Sequence, residues 1–342
     1  MKYFSASSVV AVLVFGLLFL VPNLPLGQLG IPSNLVTELL ILTILALGLN
    51  VIIGYTGLLH LGIAGVYGIG TVCTGILVTE AFPFQQSFVI TLIISTVVTA
   101  LISMAITAPV LRLRGDYFAL VTLGFCEIVV TVLKEFEHIT GGKKTLQNLR
   151  PPLFPEFLSS LEQSLDLVGK WRIFPIFYYI CLGLLLLIFL GLRNLEKSRI
   201  GRGFVAIRED ELAASAMGLN PAKLKLMAIG IGSGIVGLAG CLFAVHSTNT
   251  TEPQVSFTFN VSVIILASVI LGGMGSRTGM LVGVLLLLGY DKIGTRLLSD
   301  VLSQLPDKPY FKLSSWRYMI FGLVLILMMR FRPYGIIPEK RN

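Results

Sequence analysis

Apolar positions in this chain run on in blocks and do not alternate with polar ones at the period of a strand. The blocks lie near residues 5–21, 35–53, 62–79, 87–110, 117–133, 174–192, 224–245, 257–272, 278–294 and 316–330. Each is close to the roughly 20 residues a helix needs to cross the hydrocarbon core. They predict an all-α polytopic membrane protein of about ten transmembrane helices. A membrane barrel would show short alternating segments instead. No polar stretch is long enough for a separate soluble domain, so residues 1–342 are expected to form one transmembrane domain. The first block ends in Val21-Pro22-Asn23-Leu24-Pro25, without a small-residue cleavage site, and is expected to stay as a span.

The polar positions between the blocks set the expected topology. Arg193, Lys197, Arg199, Arg202, Arg208, Lys223 and Lys225 crowd the loop around 198–221, and Arg330, Arg332, Lys340 and Arg341 crowd the end. Basic residues gather in cytoplasmic loops, which puts that loop and both termini on the cytoplasmic side. The longest outer connection is then 135–173, with Pro151, Pro152, Pro155 and a semi-apolar stretch at 157–168 that suits a short surface helix. Composition agrees: 55% of residues are hydrophobic and only 13% charged. The net charge of +8 follows from this topology, and no nucleic-acid partner is implied.

Catalytic and cofactor motifs are missing from the sequence. Gly232-Ser-Gly-Ile-Val-Gly237 matches a dinucleotide fingerprint literally, but no strand precedes it. Gly230, Ser233, Gly234, Gly237, Gly240 and Ala244 read instead as a narrow packing face on a membrane helix. No phosphate-binding loop of the Gly-x-x-x-x-Gly-Lys-Ser/Thr type occurs, so any ATP-driven step needs a partner chain. His60, His138 and His246 are far apart, and the four cysteines sit in apolar runs without Cys-x-x-Cys spacing. The reading is therefore no catalytic residues, no metal and no cofactor bound by this chain.

Two regions break the plain pattern of spans. Residues 48–70 set Asn50, Tyr55, Thr56, Gly57, His60 and Gly62 among closely spaced glycines. Such a stretch serves close helix packing, or irregular backbone along a water-filled path, and both readings stay open. Leu271-Gly-Gly-Met-Gly-Ser-Arg-Thr-Gly279 is a tight turn with Arg277 at its tip; Gly272, Gly273 and Gly275 serve as a plain inner turn, as an inner gate or as a second cytosolic contact. Of the intramembrane carboxylates, Glu38 falls near the outer interface. Glu127 is mid-span, as structural glue or as part of the path. The rival from another class is an ion-coupled secondary carrier; a proton-coupled one would be expected to show more such groups.

The loop at 198–221 is different in kind. Glu209 and Asp210 suit a helix start, and Gly218 suits the position after a helix end. Asn220-Pro221 then caps and opens the next span. Leu212, Ala213, Ala216 and Met217 fall on one face, flanked by Arg208, Glu209 and Glu211. A helix of about two turns is too short to stand alone in water, so it must pack on something. Its small residues shape it for a groove on a partner.

At these residues the chain resembles the permeases of ATP-binding-cassette importers, whose coupling loop carries Glu-Ala-Ala, three residues and Gly. Ala213, Ala214 and Gly218 fit the alanines and glycine; Leu212 stands at the leading acid, with Glu211 one position earlier. Residues 48–62, 111–124, 269–276 and 331–336 make the chain similar to LivM-type permeases of branched-chain amino-acid importers over about 40–337. The resemblance implies a bacterial inner-membrane subunit for branched-chain or broader neutral amino acids, with urea or another small solute as the alternative cargo. It also implies a LivH-like second permease, two ATPases that use ATP and Mg²⁺, and an extracytoplasmic substrate-binding protein. After Gly142 the chain departs from the family's pattern with Lys143-Lys144-Thr145-Leu146-Gln147.

Overall fold

The computed structural model describes residues 6–21, 33–79, 85–112, 116–136, 176–247 and 257–290, with scattered positions between 319 and 337. Most of the expected outer loop at 135–173 lies outside them. The last expected span is described only in part. All regular elements among the described residues are helices: α1 (Ala6–Leu20), α2 (Ser33–Thr56), α3 (Ile63–Val78), α4 (Phe88–Thr107) with a 3₁₀ extension (Ala108–Arg112), and α5 (Asp116–Glu135). They continue with α6 (Ile176–Lys197), α7 (Arg199–Glu209), α8 (Glu211–Ala216), α9 (Pro221–Ser247), α10 (Phe259–Gly272) and α11 (Arg277–Gly289). Five of these, α2, α4, α5, α6 and α9, are long and apolar enough to cross a membrane; α3, α10 and α11 are shorter apolar helices.

Two helices make the core. The most apolar window of α2 is 94% buried against 22% for α4, so α2 is enclosed while α4 keeps one side outward. A helix enclosed on every side must be apolar all round, and Leu40, Ile41, Ile44, Leu45, Leu47 and Ile52 are fully covered. The other core helix is α9, against which α2, α3 and α4 all pack. Its small residues are not confined to one narrow face. Gly230, Gly234 and Gly237 meet Met104, Thr96 and Thr99 of α4, while Gly232 meets Gly48 of α2 and Gly240 meets the Tyr67 carbonyl of α3. A Cβ on Gly70 would stand 2.7 Å from the Gly237 carbonyl oxygen, so backbone touches backbone there.

The buried face of α4 carries a hydroxyl at every fourth residue: Thr91, Ser95, Thr99, Ser103 and Thr107. Ser103 and Ser233 of α9 are hydrogen-bonded at 2.6 Å, and Ser95 donates to the Gly70 carbonyl at 2.9 Å. Lipid tails give helices no hydrophobic reason to associate, so close packing and such bonds, each worth about 0.6 kcal/mol, hold the bundle.

The helices alternate in direction. At one end Tyr178 of α6 donates to the Leu18 carbonyl of α1 at 2.6 Å, and His246 of α9 meets the Asn34 carbonyl of α2 at 3.1 Å. At the other end the finish of α2 and α6, the start of α9 and the α10–α11 turn come together with α7 and α8.

Candidate functional site

The 198–221 segment is built from local signals. The Ser198 hydroxyl accepts from the Gly201 amide at 3.1 Å and opens α7, whose Gly201, Gly203, Phe204 and Ile207 turn inward. The short helix expected from Glu209 and Asp210 is α8, and a further helix, α7, precedes it. Glu209 ends α7, and Asp210 leaves helical geometry at φ −152°. Its carboxylate accepts from the Leu212 and Ala213 amides at 2.8 and 3.0 Å, capping α8. An acid that takes the first free amides of a helix cannot lie within it, so the hinge falls at Asp210 and not before it.

As the sequence predicts, α8 ends at a left-handed Gly218, φ +83°, with the Leu219 amide returning to the Ala214 carbonyl at 3.1 Å. The Asn220 side chain then accepts from the Lys223 amide at 3.0 Å and starts α9 at Pro221. Ala214 is buried, and Glu211 pairs with Lys225 of α9 at 2.8 Å, so one side of α8 sits on the bundle. Leu212 and Met217, 68% and 84% exposed, lie with Ala213 and Ala216 on the open side. Among the described residues that apolar strip stays uncovered.

Arg208, at the end of α7, donates to the Gly54 carbonyl at 2.5 Å. Its stem lies against Gly57, whose φ of +72° suits glycine. Beside it, Glu196 at the end of α6 accepts from Tyr55 at 2.6 Å and from Arg277 at 2.5 Å on one carboxylate oxygen. The Arg277 guanidinium also covers the Phe189 ring at 5.1 Å. Asn50 accepts from the Gly275 amide at 3.0 Å, tying α2 to the α10–α11 turn. Gly273 and Gly275 hold that turn at φ +115° and +85°. The amides of Ile336 and Ile337 bond to the Leu271 and Gly272 carbonyls at 3.0 and 3.2 Å, which satisfies the end of α10.

Asn50, Tyr55, Gly57, Gly272, Gly273 and Gly275 are thus brought beside Arg208 at one end of the bundle. Thr56 is buried and bonds back to the Ile52 carbonyl at 2.6 Å within its own helix. His60 and Gly62 lie further in, against α5, where the Leu61 amide donates to the Thr122 hydroxyl at 3.1 Å. Glu127 is not part of this cluster; its side chain is exposed on the outward side of α5. Sequence reasoning missed Glu196 and Lys225, which read as ordinary loop charge until their distant partners are known. It also missed the α4 hydroxyls, although their four-residue spacing is plain in the chain.

The chain matches the family model described as branched-chain amino acid transport system / permease component over residues 31–329. It is 35% identical over 324 residues to the high-affinity branched-chain amino acid transport system permease protein LivM of Salmonella typhimurium, covering 90% of this chain and 70% of that protein. The LivM of Escherichia coli is 35% identical over 323 residues, with the same coverage. A probable branched-chain amino acid transport permease protein LivM of Methanocaldococcus jannaschii is 25% identical over 344 residues, covering 95% of this chain and 92% of that protein. No solved structure gives a significant match.

Proposed function

The chain belongs to the permease-component family of branched-chain amino acid transport systems, and from that premise we propose that it is a membrane-spanning subunit of an ATP-driven importer of branched-chain amino acids. Broader neutral amino acids fall within the same reading. The observation that carries it is the Asp210–Gly218 unit: a capped, terminated helix with one face on the bundle and an apolar strip left open. That strip is the docking face for an ATPase subunit. The remaining partners are a LivH-like second permease, a second ATPase and an extracytoplasmic binding protein; ATP and Mg²⁺ are used by the ATPases. The fold has about ten spans in a bacterial inner membrane, with both termini cytoplasmic.

The mechanism is alternating access. Closure of the ATPase pair moves α8, and Asp210 passes the movement to α7. Arg208 then acts on the last turn of α2 through the Gly54 carbonyl. Glu196, shared by Tyr55 and Arg277, links α2 and α6 to the start of α11. The Gly-rich stretches at 48–70 and 271–279 are where the path yields. Uptake of labelled leucine by cells with and without this subunit tests the reading. Leucine uptake is expected to require it; dependence of urea or sugar uptake alone would refute the assignment.

A further inference from the structure

Two packing contacts fix where α3 begins, and the length of α2 beyond Gly48 shows how far the chain runs before it turns back. A Cβ on Gly62 would meet the Thr122 carbonyl of α5, six residues or about 9 Å along from the start of that helix. The Ala64 amide donates to Ser262 of α10 at 3.0 Å, ten residues or about 15 Å before the helix ends. Gly48 faces Gly232, and the chain runs eight more residues, about 12 Å, to the end of α2 before it turns back. The amino end of α3 therefore lies roughly 9–15 Å inside the bundle, and residues 57–62 climb to it as non-helical backbone.

Irregular backbone at that depth is tolerated only against protein or a water-filled path. Gly57 and Leu59 are exposed, and since such backbone is not tolerated against lipid, an aqueous route or a second subunit is what would cover this segment. The amides of Leu58, Leu59 and His60 find no acceptor among the described residues. His60 is only 1% exposed, and neither ring nitrogen has a hydrogen-bond partner. Its Cε1 lies 3.4 Å from where a Gly62 Cβ would stand, which puts the ring beside the N-cap of α3; Gly62 has no side chain to cap the helix, and of the first-turn amides Ser262 takes that of Ala64. An unmade buried hydrogen bond costs about 1–3 kcal/mol, and the buried His60 ring leaves its nitrogens unpartnered beside the positive end of a helix.

We propose that the 57–62 connector and the amino end of α3 bind the carboxylate of the amino acid in transit, with His60 as a hydrogen-bond donor to it. The proposal rests on the importer reading and names the recognition chemistry of its path. In either neutral tautomer the imidazole offers an N–H, and a helix amino end favours a carboxylate without a formal positive charge. The site described is closed, with the ring covered by Phe118 edge-on at 6.3 Å between centroids.

The test uses the assembled importer in proteoliposomes, with a diazirine analogue of leucine as probe. Photolabelling is expected on the 57–64 peptide or the α5 peptide holding Thr122, and to be competed by leucine but not by leucinamide. Labelling elsewhere, or equal competition by the amide, overturns the proposal. His60→Phe should leave the melting temperature unchanged or higher, because the imidazole makes no hydrogen bond, yet raise the KM for leucine about tenfold; His60→Gln should restore part of the loss. Wild-type kinetics in His60→Phe, or equal losses of uptake and melting temperature in both variants, would also overturn it. A wild-type importer that moves no branched-chain amino acid would instead refute the function itself, which keeps the two failures apart.

Discussion

Glu196 carries two donors on one oxygen, and the other residues at this end of the bundle are arranged around it. With the Arg277 and Glu196 side chains 18% and 28% exposed, the pair is screened less than a surface pair and not desolvated like a core one. Glu196→Gln should lower stability by about 1–3 kcal/mol, and Tyr55→Phe by about 1 kcal/mol, in thermal melts of the detergent-solubilised protein. Arg208 sits one step nearer the proposed docking face. Arg208→Ala removes the donor to Gly54 while leaving the α8 strip intact. ATP hydrolysis by the assembled importer should persist while leucine uptake falls between about 5- and 150-fold, the span of coupling energies of about 1–3 kcal/mol. Equal loss of both activities would mean that Arg208 serves assembly and not coupling. At Gly218 there is open space for a Cβ, so Gly218→Ala tests backbone conformation alone; φ of +83° sets a cost of about 1–2 kcal/mol.

Among the elements, the tightest constraint is the seam between α9 and its neighbours. A side chain at Gly70 or Gly237 would drive helix backbones apart, so Gly237→Leu should cost about 1–3 kcal/mol or more and lower the yield of folded protein by size-exclusion chromatography. The sequence announced the ends of α8 and the start of α9 clearly, because Asp210, Gly218, Asn220 and Pro221 act on amides and carbonyls within a few residues. The apolar blocks foretold helices for the same reason, since apolar length is written into each segment, and among the described residues five are long and apolar enough to cross a membrane. It could not announce that Glu209 closes one helix while Asp210 opens another, since both acids suit a first turn. Nor could it pair Arg208 with Gly54, Glu196 with Arg277, or Ser103 with Ser233, which are joined only by the path of the folded chain. The glycines of α9 read as one face because spacing alone hides how many neighbours surround a helix.

For the whole molecule, the two Gly-rich stretches and the loop at 198–221 are separated in the chain yet share one end of the bundle. That placement gives a short mechanical route from an exposed strip to the backbone of α2 and to the α10–α11 turn. It also fits a sequence that lacks a phosphate-binding loop motif and carries a capped helix with an open apolar face. The central claim is that ATP hydrolysis in partner subunits drives amino-acid movement through α8. Its most direct test is labelled leucine uptake into proteoliposomes holding the assembled importer, with wild-type chain or with Ala213→Glu and Ala216→Glu together. The wild type should accumulate leucine only with hydrolysable ATP, and the charged variant should lose uptake at least tenfold while the chain itself stays folded. Uptake driven by an ion gradient without ATP, or uptake unchanged by the two charges, would contradict the account.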